Sequence, residues 1–257
     1  MVDWIKKPLG ENYVRDERLS SYLKNKRVAY VGPSPENTGT GYGDLIDSYD
    51  VVVRAGDFLR GDGCEKDYGS RTDVLVHSFN EHDIPSFTDE CFEDMKKCEF
   101  LVCSQVSANL LQRQENFFNE IGTQWHTVND EVFDGSCGIR QFLANEYGYS
   151  DVLPNTGFTG ILTMLEYDIK ELFISGMSFY GMGSWSKPYH ESWYKTGASG
   201  KKYGTYGVNE GGQQEMSGRT DYGHVQLPQI KHFQKIYEQH KDRIRLDKYL
   251  SDNLWSV

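Results

Sequence analysis

The chain has 257 residues, of which 38% are hydrophobic and 14% aromatic, enough to build a sizeable core and too much for wholesale disorder. Lys and Arg number 27 against 38 Asp and Glu, a formal charge of −11. That balance argues against a protein that grips nucleic acid through a basic face and disfavours polybasic attachment to anionic membrane.

The opening "MVDWIKKPLGENYVRDERLSSYLKNK" is charged and lacks the apolar centre of a secretion signal. No run of about 18 apolar residues occurs, so no transmembrane segment is expected. Residues 1–26 read as a helical lead-in. The apolar runs "RVAYVG", "YDVVVRAG", "TDVLVHSF", "EFLVCSQ" and "ELFISGM" then read as buried strands over 27–32, 49–56, 72–79, 99–105 and 171–177. Between them, helical spacing marks 87–97, 108–121 and the stretch "GIRQFLANEYG" ending at Gly148. Further helices are expected over 156–168 and over 227–244, the last with a proline in its first turn.

Continuous apolar strands alternating with helices imply a mostly parallel, doubly wound α/β sheet in one domain over 27–257. Ligands in such sheets sit at the carboxyl ends of the strands. The longest irregular segment, about 181–223, is rich in Gly, Ser and Tyr. It reads as a lid or acceptor-side loop, with a disordered insertion as the alternative. The 17 tyrosines suit a glycan or nucleoside surface, and equally suit ordinary half-buried positions.

Five cysteines (Cys64, Cys91, Cys98, Cys103, Cys137) form no Cys-x-x-Cys pair, so reduced thiols and a cytoplasmic location are expected. The seven histidines show no ligand spacing with them, which argues against zinc.

The first strand runs into "VGPSPENTGTGYG". This lacks the Gly-Lys-Ser/Thr ending of a P-loop and the Gly-x-Gly-x-x-Gly spacing of a dinucleotide fingerprint. By itself it is as consistent with a structural turn as with a phosphate-binding loop. Its context narrows the choice. The frame "VAYVGPS…GTGYGDLID…YDVVVR…YGSRTDV" resembles the large sialyl motif of the eukaryotic-type sialyltransferases, glycosyltransferase family 29. Gly32, Ser34, Gly39, Gly41, Tyr42, Gly43, Asp47, Arg54, Gly69, Ser70, Arg71 and Thr72 carry the likeness. "LPNTGFTGILTMLEYDIKELFISGMSF" is similar to the small sialyl motif through Pro154, Thr156, Gly157 and Gly176. "PYHESWY" resembles the third motif, and "HVQLPQ" the last, with Gln229 where Glu is usual.

The resemblance implies a single-domain variant of the GT-A-like sialyltransferase fold. It also implies an inverting, metal-independent transfer of sialic acid, or a related acidic 2-keto sugar, from a CMP-activated donor to a glycan hydroxyl. No resident cofactor is implied, because CMP-sugar is the substrate. By the same resemblance His224 is the general base and His190 the donor to the departing phosphate. Gly32, Ser34, Gly41, Arg54, Asn155, Thr156, Gly157 and Gly176 would line the nucleotide site. His126, His232 and His240 have no such context and read as structural.

Departures bear on the details. Pro33 and Gly56 stand where the family has asparagines, and the positions of the vertebrate disulfide hold Val28 and Asp168. A Kdo-type transferase and a catalytically silent nucleotide- or glycan-binding protein are the alternatives. An α/β hydrolase is disfavoured, since no Gly-x-Ser-x-Gly elbow is present.

Overall fold

The computed structural model describes residues 3–56, 63–80, 84, 87–104, 111–128, 138–149, 152–179 and 226–256. Among these residues seven strands form one sheet: β1 (Arg27–Val31), β2 (Val51–Ala55), β3 (Val74–His77), β4 (Phe100–Cys103), β5 (Gln124–Thr127), β6 (Glu171–Ser175) and β7 (Ile244–Leu246). Their order in space is β5-β4-β3-β2-β1-β6-β7, and every pairing is parallel.

Parallel neighbours require long crossovers, here made by helices. After α1 (Glu17–Leu23), which precedes β1, these are α2 (Gly43–Asp47), α3 (Glu65–Tyr68), α4 (Asp89–Met95), α5 (Leu111–Ile121), α6 (Ile139–Tyr147), α7 (Thr156–Leu165) and α8 (Gln226–His240), and α9 (Lys248–Asn253) follows β7. The doubly wound α/β architecture expected from the sequence is the one observed. None of the described helices is long and apolar enough to cross a membrane.

The central strands are buried on both faces, which is why they read as unbroken apolar runs. Val28, Tyr30, Val51, Val53, Val74 and Val76 pack with the α7 residues Phe158, Ile161 and Leu162. Alternate residues turn the other way. Ala29, Val31 and Val52 meet Ile46, Tyr49 and Tyr68, and Leu75 and Leu101 meet Met95, Phe117 and Phe118. α7 is buried through Phe158–Leu165, and it crosses β1 closely because residue 160 is glycine. A Cβ there would lie 2.1 Å from the Tyr30 hydroxyl. That hydroxyl donates to the Gly157 carbonyl at 2.9 Å and ties the start of α7 to β1.

The lead-in differs from expectation. It is helical only in α1, where the Asp16 side chain accepts from the Arg18 and Leu19 amides. Pro8 and the left-handed Gly10 (φ 96°) disfavour an earlier start. The preceding residues instead strap across the domain. Buried Leu9 donates its N–H to Glu166 Oε1 at 2.7 Å. The Tyr13 hydroxyl meets His126 Nε2 and the Tyr167 hydroxyl, each at 2.9 Å.

Candidate functional site

Leaving β1, the chain passes to β2 on one side, while β6 pairs on the other. This reversal makes a crevice at the carboxyl ends of β1 and β6, the place where such sheets bind ligands. Backbone hydrogen bonds build its floor. Gly32 N–H donates to the Ser175 carbonyl (2.8 Å) and Ser34 N–H to the Gly176 carbonyl (2.9 Å).

The floor is closed to side chains. A Cβ on Gly32 would lie 2.4 Å from both the Gly176 oxygen and Met177 Sδ. A Cβ on Gly176, whose φ is 67°, would lie 2.4 Å from the Gly32 oxygen. Met177 Cε in turn sits 2.5 Å from where a Gly157 Cβ would be. One thioether is therefore wedged between Gly32 and Gly157, and three glycines distant in sequence meet around it.

α7 starts at this crevice. Its N-terminus offers backbone donors and the positive end of a ten-residue dipole. Thr156 is half-buried, and its hydroxyl lies 3.4 Å from that of Ser104, just past β4. Asn155 caps the helix, with Oδ1 accepting from the Phe158 amide at 2.7 Å. Its Nδ2 donates to Gln226 Oε1 (3.2 Å), and its backbone N–H donates to Gln229 Oε1 (3.1 Å). Gln229 thus docks the first turns of α8 onto the Pro-Asn-Thr-Gly turn, and a neutral amide oxygen does this without burying a charge. The Ser34 side chain caps a 3-10 turn, Pro35–Asn37.

Several residues under the crevice were not anticipated. The Asn37 side chain and the Ser175 hydroxyl are hydrogen-bonded and buried. Asp247 Oδ2 accepts from Gly176 N–H and Oδ1 from Leu250 N–H, both at 2.8 Å. Burial pushes the Asp247 carboxyl up, and these amide donors pull it partly back. Only Asp247 had a sequence signal, as an N-cap before "KYL".

Backbone strain gathers at the same ends of the strands. Phe79, just past β3, and Phe179, just past β6, have φ of 45° and 44°. Aromatic packing holds both. Phe79 lies among Phe87, Phe117 and Phe118, and Phe179 against Phe158 and Phe233. Left-handed bulky residues of this kind cost about 1–3 kcal/mol each and cluster at functional sites. His77, closing β3, accepts the Phe79 amide at Nδ1 (2.8 Å).

The structure separates Gly41 and Arg54 from this set. Gly39 and Gly41 N–H both donate to the Asp67 carboxylate, at 2.8 and 2.7 Å. Arg54 is fully buried. Its guanidinium donates to the Tyr68, Gly69 and Arg71 carbonyls and to Thr72 Oγ1, and burial pulls its pKa down to about 10. Beside it the Asp47 carboxylate accepts from Ser70 N–H and Oγ and from Arg71 N–H. Burial alone would raise that carboxyl, but these donors outweigh it and hold it low. The Gly-Ser-Arg-Thr half of the first block is thus a buttress leading into β3.

His190 and His224, like the 181–223 segment, lie outside the described residues. His126 and His232 are buried, which pulls their pKa values down to about 4 and about 3. Among the described residues no group of three His, Cys, Asp or Glu is placed to hold a metal ion. The four described cysteines are buried free thiols.

No family model matches the chain, and none of the curated proteins does. Its fold is that of solved sialyltransferases. The monofunctional alpha-2,3-sialyltransferase Cst-I from Campylobacter jejuni superposes with a TM-score of 0.56 at 15% identity, over 95% of this chain and 82% of that one. CstII from the same organism, solved with the substrate analogue CMP-3FNeuAc, gives 0.54 at 14% identity, over 89% and 85%. A mammalian sialyltransferase gives 0.51 at 16%, over 91% and 71%.

Proposed function

We propose that this chain is a glycosyltransferase that moves an acidic 2-keto sugar, sialic acid or a close relative, from a CMP-activated donor to a glycan hydroxyl. The observation that carries the reading is the meeting of Gly32, Gly157 and Gly176 at the β1–β6 crevice beside the start of α7, in a sialyltransferase fold. The glycines let the ends of β1 and β6 and the start of α7 close up around Met177, which fixes the head of α7 at the crevice. A helix N-terminus with a threonine hydroxyl suits a phosphate monoanion.

In the proposed reaction the bond from the anomeric carbon to the phosphate oxygen breaks. The acceptor oxygen bonds to the opposite face of that carbon, so the configuration inverts. His224 takes the acceptor proton, as an imidazole titrating near neutral pH can. His190 donates a hydrogen bond to the departing CMP oxygen. His224 stands two residues before α8, whose first turns Gln226 and Gln229 pin to Asn155. The reading assigns no metal, because the leaving group is a nucleoside monophosphate. It places the reaction in the cytoplasm.

The test is CMP release and product mass for a panel of CMP-activated acidic sugars, including CMP-sialic acid and CMP-Kdo, with mixed glycan acceptors. The expected result is turnover of one donor class and a fall of about 100-fold or more in His224→Ala. Undiminished release in His224→Ala would overturn the base assignment. CMP binding without release from any donor would favour the silent binder, and failure to bind CMP at all would overturn the reading.

A further inference from the structure

The loop Thr38–Tyr42 resembles an anion-binding nest, with glycines 39 and 41 at φ 79° and 70° and their two amides turned to one acceptor. The chain fills that nest itself. Both amides donate to Asp67, one to each carboxylate oxygen. A phosphate at the same amides would face a resident negative charge.

The next residue on α3 holds the same loop from its other end. Tyr68 donates its hydroxyl to the Ser34 carbonyl at 2.6 Å and lies 3.5 Å from Thr38 Oγ1. α3 is itself fixed. Buried Arg54 donates to its last carbonyls. Gly43 lets α2 approach so closely that a Cβ there would lie 1.9 Å from the Glu65 oxygen.

We propose that α3 is a clamp on the loop after β1, and that Asp67 is its positioning residue for the nucleotide site. The carboxylate presets the loop by gathering two glycine amides that would otherwise sample many conformations. Tyr68 passes that setting to Ser34, whose N–H is bonded to Gly176 on the crevice floor. The glycine-rich stretch is then scaffold, and the phosphate is left to the start of α7. The consequence for ligand affinity rests on the proposed CMP reading; the clamp itself does not.

The experiment compares wild type, Asp67→Asn and Asp67→Ala by amide hydrogen exchange without ligand, and by calorimetric titration with CMP. Exchange at Gly39 and Gly41 should accelerate about tenfold or more in Asp67→Ala. In Asp67→Asn, which keeps one acceptor oxygen, one amide should keep its protection. CMP affinity should fall in the order wild type, Asp67→Asn, Asp67→Ala, by about tenfold overall. Unchanged protection of both amides in Asp67→Ala would overturn the clamp. Lost protection with unchanged or tighter CMP binding would overturn the positioning role and make Asp67 a competitor for the anion. If wild type binds no CMP, the functional reading fails, and the exchange data still decide the clamp.

Discussion

The crevice between β1 and β6 and the buttress leading into β3 are built from opposite materials, although one continuous sequence block supplies much of both. The crevice floor is backbone packed on backbone, with three glycines around one methionine and the left-handed Phe179 just past β6. The buttress is dense in side-chain hydrogen bonds, Asp47 to the Ser70 and Arg71 amides and Arg54 to surrounding carbonyls. A region that must stabilise the fold satisfies its own polar groups. The crevice floor instead gives up side chains so that two strand ends and a helix start can meet, and it tolerates strain beside them. The difference separates residues that resemble one another only as parts of a motif.

The largest expected effect falls on the buttress. Arg54→Met should lower unfolding free energy by about 3–5 kcal/mol in urea, because buried carbonyls lose their donor. A change within about 1 kcal/mol would show that the guanidinium is not structural, and would return it to the nucleotide site. Gly176→Ala comes next. Its Cβ would strike the Gly32 carbonyl at a backbone angle disfavoured for alanine, so a loss of about 2–4 kcal/mol is expected, together with loss of CMP binding.

His126 extends the comparison to the strap before α1. Burial holds its folded pKa near 4 against an ordinary 6.5, with Asp16 pulling it partly back up. The unfolded chain therefore takes up the proton first. Its stabilising contribution is complete above about pH 6.5 and is lost as the pH falls through 4, on the order of 3 kcal/mol across the window. His126→Gln should flatten that part of the stability–pH curve. The raised carboxyls of Glu166 and Asp247 act in the opposite sense, so the difference between variant and wild type is the quantity to read. The smallest effect is Gly39→Ala. Nothing lies within 4 Å of a Cβ there, so only the positive φ matters, at about 1 kcal/mol.

Much of the fold was legible because the central strands are buried on both faces and advertise it as apolar runs. The edges were not. β5 reads "QWHT" and β7 is three residues long, and strands at a sheet edge carry no such uniform signal. The ends of α7 and α8 fell a few residues short of expectation, as helix ends commonly do. At the site, the pattern of glycines in β1's loop was visible, but the partner of two of them was not. Asp67 lies 26 and 28 residues away from Gly41 and Gly39, on a four-residue helix with no periodicity to mark it. Arg54 was placed at the nucleotide site by resemblance alone, and sequence cannot report the four acceptors that surround its guanidinium.

The most direct measurement is a crystal structure of the protein with CMP. It should place the phosphate at Thr156 and Gly157, at the head of α7, with the nucleoside over Gly32 and Gly176. A phosphate seated on the Gly39 and Gly41 amides with Asp67 swung away, or CMP bound anywhere outside the β1–β6 crevice, would contradict the account.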